Sequence, residues 1–112
     1  MDPARGEIWT VDLSPIRGRE QAGRRPALVV SVDTFDRGPA GLIVIVPLTT
    51  RDRGIPLHVR VAPPEGGLAR PSVIKCDSVR SIARERLTQR LGAVSGETMA
   101  QVEDRLRILL GL

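Results

Sequence analysis

Aromatic side chains are nearly absent from this sequence: Trp9 and Phe35 amount to 2% of the chain, and there is no tyrosine. That poverty excludes an RNA binder that stacks several bases on a sheet of aromatic rings, and a peptide groove lined with aromatics. A single cysteine, Cys76, rules out an intramolecular disulfide and a zinc site built from several thiolates. A single histidine, His58, rules out within one protomer an acid–base scheme divided between two imidazoles. No apolar run approaches the roughly 20 residues of a membrane helix. The start Met1-Asp2-Pro3-Ala4-Arg5 lacks the apolar core of a signal peptide. These absences predict a cytoplasmic protein that stays out of membranes.

What is plentiful is arginine. Basic residues number 17 against 13 acidic ones, the net charge is +4, and Lys75 is the only lysine. Such a balance favours a polyanionic partner. Local grouping says more than the total, because Arg17, Arg19, Arg24 and Arg25 crowd one stretch while the acidic residues are scattered. At 112 residues the chain reads as one domain, 1–112. A domain of this size buries only about two-thirds of its unfolded surface, so a homodimer interface would be an unsurprising source of further burial.

Hydrophobic periodicity predicts several short strands and one helix. Residues 7–13 alternate, with Trp9, Val11 and Leu13 on one face and Thr10 and Asp12 on the other. Residues 27–32, apolar but for Ser31, and the continuous run 42–48 are rich in β-branched side chains, the pattern of central strands. Pro47 cannot donate to a ladder and marks a bulge or an edge in the second run. Residues 57–61 alternate again with Leu57, Val59 and Val61 inward, and 72–82 resume as strand with Lys75 and Asp77 on one face. Residues 84–94 fit either a helical turn or a short strand. Ser95 can cap a final helix that carries Glu97 in its first turn and Met99, Val102, Leu106 and Leu109 as an apolar stripe. Polar connections occupy 14–26, 33–41, 49–56 and 63–71. The sum is an α+β, mainly β, architecture: a small, strongly bent β-barrel covered by a C-terminal amphipathic helix.

The motif of greatest interest is Glu20-Gln21-Ala22-Gly23-Arg24-Arg25-Pro26, where a Gly- and Pro-bounded turn holds two guanidinium forks and a carboxylate before an apolar strand. A rigid strand then supplies position and the loop supplies phosphate-binding chemistry. Read with its surroundings, the chain resembles the MazF/PemK family of toxin endoribonucleases over almost its whole length. The resemblance rests on five segments in order. They are Arg5-Gly6-Glu7-Ile8-Trp9-Thr10-Val11-Asp12-Leu13-Ser14-Pro15, Gly18-Arg19-Glu20-Gln21-Ala22-Gly23-Arg24-Arg25-Pro26, Pro47-Leu48-Thr49-Thr50, Pro56-Leu57-His58-Val59, and the run from Ser72 to Ile82 containing Lys75-Cys76-Asp77-Ser78 and Arg80-Ser81-Ile82. It implies an SH3-like barrel acting as a homodimer that cuts single-stranded RNA at short sequences. It implies chemistry without metal or cofactor, in which the ribose 2′-hydroxyl attacks its own phosphate. An antitoxin with an acidic, largely disordered tail is the implied partner. A same-fold toxin that inhibits a protein target such as gyrase is the alternative, although those relatives use a C-terminal aromatic that this chain lacks.

In-line attack needs a proton acceptor, stabilisation of charge on the phosphorane oxygens, and a donor for the leaving oxygen. Arg25 matches the family's essential arginine before proline; a guanidinium keeps its proton, so its role is electrostatic. Thr49 matches the catalytic threonine, with Thr50 beside it. Glu20 and Asp77 compete for the role of base. Lys75 and Asp77 match an acid–base pair of the PemK-like branch, except that lysine stands where the pattern has arginine. Arg17, Arg19, Gln21, Arg24, Thr50, Lys75, Ser78 and Arg80, within or beside these motifs, form the expected RNA-binding set. His58 reads as a polar residue on a strand face, and Cys76 as a small core residue.

Overall fold

Two apolar clusters, one on each face of a bent antiparallel sheet, account for the unbroken hydrophobic runs. The computed structural model describes residues 2–13 and 23–112. Its strands are β1 (Glu7–Asp12), β2 (Arg24–Val29), β3 (Leu42–Thr49), β4 (His58–Val61), β5 (Ser72–Lys75), β6 (Arg80–Ala83) and β7 (Leu87–Ala93). They are ordered β4-β5-β3-β2-β1-β7, with β6 also on β3. A one-turn helix α1 (Asp33–Asp36) joins β2 to β3, and α2 (Gly96–Leu110) follows β7. The expected barrel takes the form of a bent sheet whose ladder ends at β4 and β7.

Successive residues of β1, β2 and β3 enter different clusters, as the period of two requires. Ile8, Leu28, Val46 and Leu48 join Val59, Ile74, Cys76, Met99 and Val102 beneath α2. Trp9, Val11, Ala27, Val29, Ile43 and Ile45 form the second cluster with Leu13 and Ile82. Where both faces are covered, β2 and β3 carry apolar side chains on both sides, while Glu7, Thr10 and Asp12 of β1 stay half-buried. The sheet bends because β3 changes partner along one edge, pairing with β6 through Leu42–Ile45 and with β5 from Leu48 onward. Pro47 falls between the two partners, where its missing N–H leaves no ladder bond unmade.

The helix forms as its sequence predicts. Ser95 Oγ accepts from Thr98 N at 3.1 Å, Glu97 lies in the first turn, and Gly111 ends the helix at φ 70°. Glu65 ties that first turn to the preceding loop, accepting from Ser95 N at 2.9 Å and Thr98 Oγ1 at 2.6 Å. These bonds, Thr98 foremost, hold the Glu65 carboxyl below its ordinary range. The short turn Glu65–Gly67 lies backbone to backbone against β7, so close that a Cβ on Gly67 would meet the Leu91 carbonyl oxygen at 2.0 Å.

Four boundaries differ from the sequence reading. The strand expected over 27–32 ends at Val29, with a bend at Ser31 before α1. β2 begins at Arg24 rather than after Pro26, because β1 pairs with it out to Asp12↔Arg24. The run 72–82 is broken by a turn at Cys76–Ser78, since β5 pairs with the end of β3 and β6 with its start. Asp77 therefore stands on a turn, not a strand. The ambiguous stretch 84–94 is both things in succession, a turn at Arg84–Arg86 and then β7.

Candidate active site

Strand register brings four residues from four strands to one face. The pairing Ala27↔Pro47, extended by two residues, sets Arg25 across from Thr49. Thr49 pairs with Val73 on β5, and two residues on, Lys75 pairs with His58 on β4. Directly paired residues, and residues two apart on a strand, share a sheet face. Arg25, Thr49, Lys75 and His58 therefore stand on the face opposite the cluster beneath α2, beyond the edge of the second cluster.

A cleft of about 540 Å³ opens there, lined by Arg25, Thr49, Thr50, Arg51, Arg53, Ile55, His58, Lys75, Asp77 and Ser78. Four of these are cations and one is a carboxylate. Among the described residues none accepts a hydrogen bond or ion pair from the guanidinium of Arg25, and Arg25 is exposed. Arg25 lines the cleft with a planar guanidinium fork that has no partner among the described residues, which suits a planar oxyanion. Thr49, half-buried at the end of β3, accepts from Arg51 N at 3.2 Å and so shapes the start of the following loop. That loop is held farther on by Asp52, which accepts from Gly54 N at 2.9 Å and Arg60 Nε at 2.5 Å. Those bonds, Gly54 first, keep the Asp52 carboxyl below its usual range. The loop closes where His58 N donates to Ile55 O at 2.9 Å.

The arrangement brings together Arg25, Thr49, Thr50, Lys75, Asp77 and Ser78. It leaves Arg24 outside the cleft lining, as alternation along β2 requires, and Arg80 outside it at the start of β6. Arg17, Arg19, Glu20 and Gln21 lie outside the described residues. His58, read from sequence as an ordinary face residue, is part of the site. Its Nε2 lies 2.8 Å from Asp77 Oδ1, with the imidazole 5% exposed and the Asp77 side chain 35% exposed. Nineteen positions separate the two, so only the β4–β5 pairing reveals the contact; the cross-strand neighbour Lys75 was the available hint. Cys76 is fully buried, and burial pushes its thiol up to about 11, so it offers no thiolate at neutral pH. Among the described residues no cluster of three His, Cys, Asp or Glu side chains is placed to hold a metal ion. Nor is any described helix long and apolar enough to cross a membrane.

Comparisons with known proteins converge on one family. The family model for a PemK-like, MazF-like toxin of type II toxin–antitoxin systems matches residues 4–110. The chain is 40% identical to the endoribonuclease MazF9 of Mycobacterium tuberculosis, with 96% of each chain covered. The crystal structure of MazF from Deinococcus radiodurans superposes with a TM-score of 0.87 at 33% identity, covering 100% of this chain and 99% of that one. An endoribonuclease in complex with its cognate antitoxin from a mycobacterial species gives a TM-score of 0.78 at 28% identity, covering 99% and 95%.

Proposed function

Since the chain belongs to the PemK-like, MazF-like family of type II toxins, we propose that it is an endoribonuclease that cuts single-stranded RNA and is neutralised by a cognate antitoxin. The observation that carries this reading is the cationic cleft in which Arg25, Thr49, Lys75 and Asp77 meet. A phosphodiester entering it finds four cations against one carboxylate, and a low-dielectric floor provided by the strands behind.

In the reaction we assign, the ribose 2′-oxygen forms a bond to phosphorus as the bond from phosphorus to the 5′-oxygen breaks. Asp77 takes the 2′-hydroxyl proton. Arg25 spreads its fork over the non-bridging oxygens as negative charge concentrates on them, a contribution of about 10²–10³ in rate for one well-placed donor. Thr49 adds a hydroxyl donor to the same oxygens. Lys75 gives a proton to the departing 5′-oxygen, leaving a cyclic phosphate and a 5′-hydroxyl. Lysine serves here as a point donor, without the bidentate grip of arginine. Glu20 is the other candidate for the base. No step requires a metal or cofactor.

Arg17, Arg19, Gln21, Arg24, Thr50, Ser78 and Arg80 are assigned to binding the flanking RNA. The protein works in the cytoplasm as a homodimer, a pairing supported by family membership, and an acidic, disordered antitoxin tail would compete with RNA for the same cations. Incubation of the purified protein with a long single-stranded RNA in excess EDTA tests the proposal. Discrete cuts at a recurring short motif, with cyclic-phosphate ends, are expected. Intact RNA after prolonged incubation would overturn it and move the next test to gyrase supercoiling.

A further inference from the structure

Deepening the ribonuclease reading on which it rests, we propose that His58 is a positioning residue: its imidazole fixes the Asp77 carboxylate that accepts the 2′-hydroxyl proton. Asp77 sits on the single turn Cys76–Ser78 between β5 and β6, anchored on one side by the fully buried Cys76. Among the described residues no group of that turn donates a hydrogen bond to its carboxylate. Among the described residues His58 is the one hydrogen-bond partner of its carboxylate.

An ionised carboxylate offers acceptors only, so the 2.8 Å contact requires the proton to sit on Nε2. Oδ1 is then engaged and Oδ2 is the oxygen left for substrate. The two exposures separate the roles. An imidazole 5% exposed is poorly placed to meet a ribose, whereas an Asp77 side chain 35% exposed at the cleft wall is accessible. His58 Nδ1 is buried with no partner among the described residues. The Nε2–H tautomer leaves there a bare lone pair rather than an orphaned N–H, the rarer defect in folded proteins. A buried ring nitrogen without a partner carries a desolvation cost that an apolar residue of similar size would avoid. The contact with the Asp77 carboxylate offsets that cost on the wall of the cleft. The backbone supports the ring from two sides, since His58 pairs with Lys75 across the β4–β5 ladder and its N–H closes the preceding loop on Ile55 O.

The experiment compares wild type with His58→Phe, His58→Gln, Asp77→Asn and the double variant His58→Phe/Asp77→Asn on a short RNA containing the mapped cleavage sequence. Loss of positioning lowers kcat by about 30- to 100-fold with KM little changed, the scale expected for a misplaced reacting group. Gln, which can also donate to the carboxylate, recovers most of that loss. The double variant is no slower than Asp77→Asn alone, because His58 acts only through Asp77. Long-range ¹⁵N NMR of the imidazole reads the contact without cleavage: the Nε2–H tautomer dominates in wild type and gives way to a mixture in Asp77→Asn. Full turnover in either His58→Phe or Asp77→Asn overturns the proposal. So does an equal Phe penalty with or without Asp77, a failure of Gln to rescue, or a wild-type Nδ1–H tautomer. If the Phe variant does not fold, the Gln variant's kcat and the Asp77→Asn spectrum decide. No cleavage by wild type overturns the ribonuclease reading itself, whereas cleavage indifferent to His58 overturns the positioning role alone.

Discussion

Replacing Arg25 by alanine should separate activity from stability. The side chain is exposed at the start of β2 and has no partner among the described residues, so truncation breaks no contact that holds the fold. Exposed substitutions of that kind stay within about 0.5 kcal/mol, or roughly 2–4 °C in Tm for a domain near this size. The sign of the small change is predictable too. Arg25 is one of four cations that line the cleft with a single carboxylate, and its removal relieves repulsion. Cleavage should behave in the opposite way, because a phosphorane oxygen stripped of its principal donor loses about 3–4 kcal/mol of stabilisation, or 10²–10³ in rate. Arg25→Lys should fall between, keeping the charge but not the planar fork. Single-turnover cleavage of an RNA containing the mapped site, beside thermal unfolding followed by circular dichroism, measures both quantities. A fall of 10 °C or more in Tm would show that Arg25 supports the fold. A Lys variant as fast as wild type would refute the role given to the fork.

Three further outcomes follow from named contacts. Thr49→Val, which keeps the branched shape but not the hydroxyl, should slow cleavage about 10²-fold with the fold retained; if Thr50→Val is the more damaging, the threonine assignment is off by one residue. Gly67→Ala places a Cβ at φ 70° and within 2.0 Å of the Leu91 carbonyl oxygen, so the turn must leave β7 at a cost above about 3 kcal/mol. An unchanged Tm would mean that this turn is not seated as described. Glu65→Ala removes an acceptor shared by Ser95 N and Thr98 Oγ1 and should cost about 2 kcal/mol. The Glu65 carboxyl lies below its ordinary value of 4.5 in the folded state. The unfolded chain therefore takes up that proton first, and the contribution is complete above about pH 4.5 and fades as pH falls through the folded value. Wild type and Glu65→Ala should thus converge in Tm on acidification; a gap that persists at low pH would refute the linkage.

Much of the architecture was legible because it is dictated locally. The cap at Ser95 and the apolar stripe from Met99 depend on spacing within a few residues, and the helix appears as read, except that Leu109 at the end of the stripe is exposed. Alternation located β1 and β4, and the two apolar runs were rightly central strands. Boundaries failed where a partner strand decided them. Arg24 and Arg25 look like loop in isolation, yet β1 pairs with them to the end of its own length. Residues 72–82 carry strand propensity throughout, but the two halves pair with different stretches of β3, so the chain must turn at Cys76–Ser78.

The sequence by itself determined the family, through short motifs whose residue types and order are sufficient, and with it Arg25, Thr49, Lys75 and Asp77 as candidates. Only the tertiary structure decided that these four share one cleft, that Arg24 and Arg80 stand outside its lining, and that His58 on β4 meets Asp77 on the turn after β5. The physical reason is that side-chain type and local period are written along the chain. Strand register is set instead by the burial of two apolar clusters at once, and it chooses which distant residues face one another.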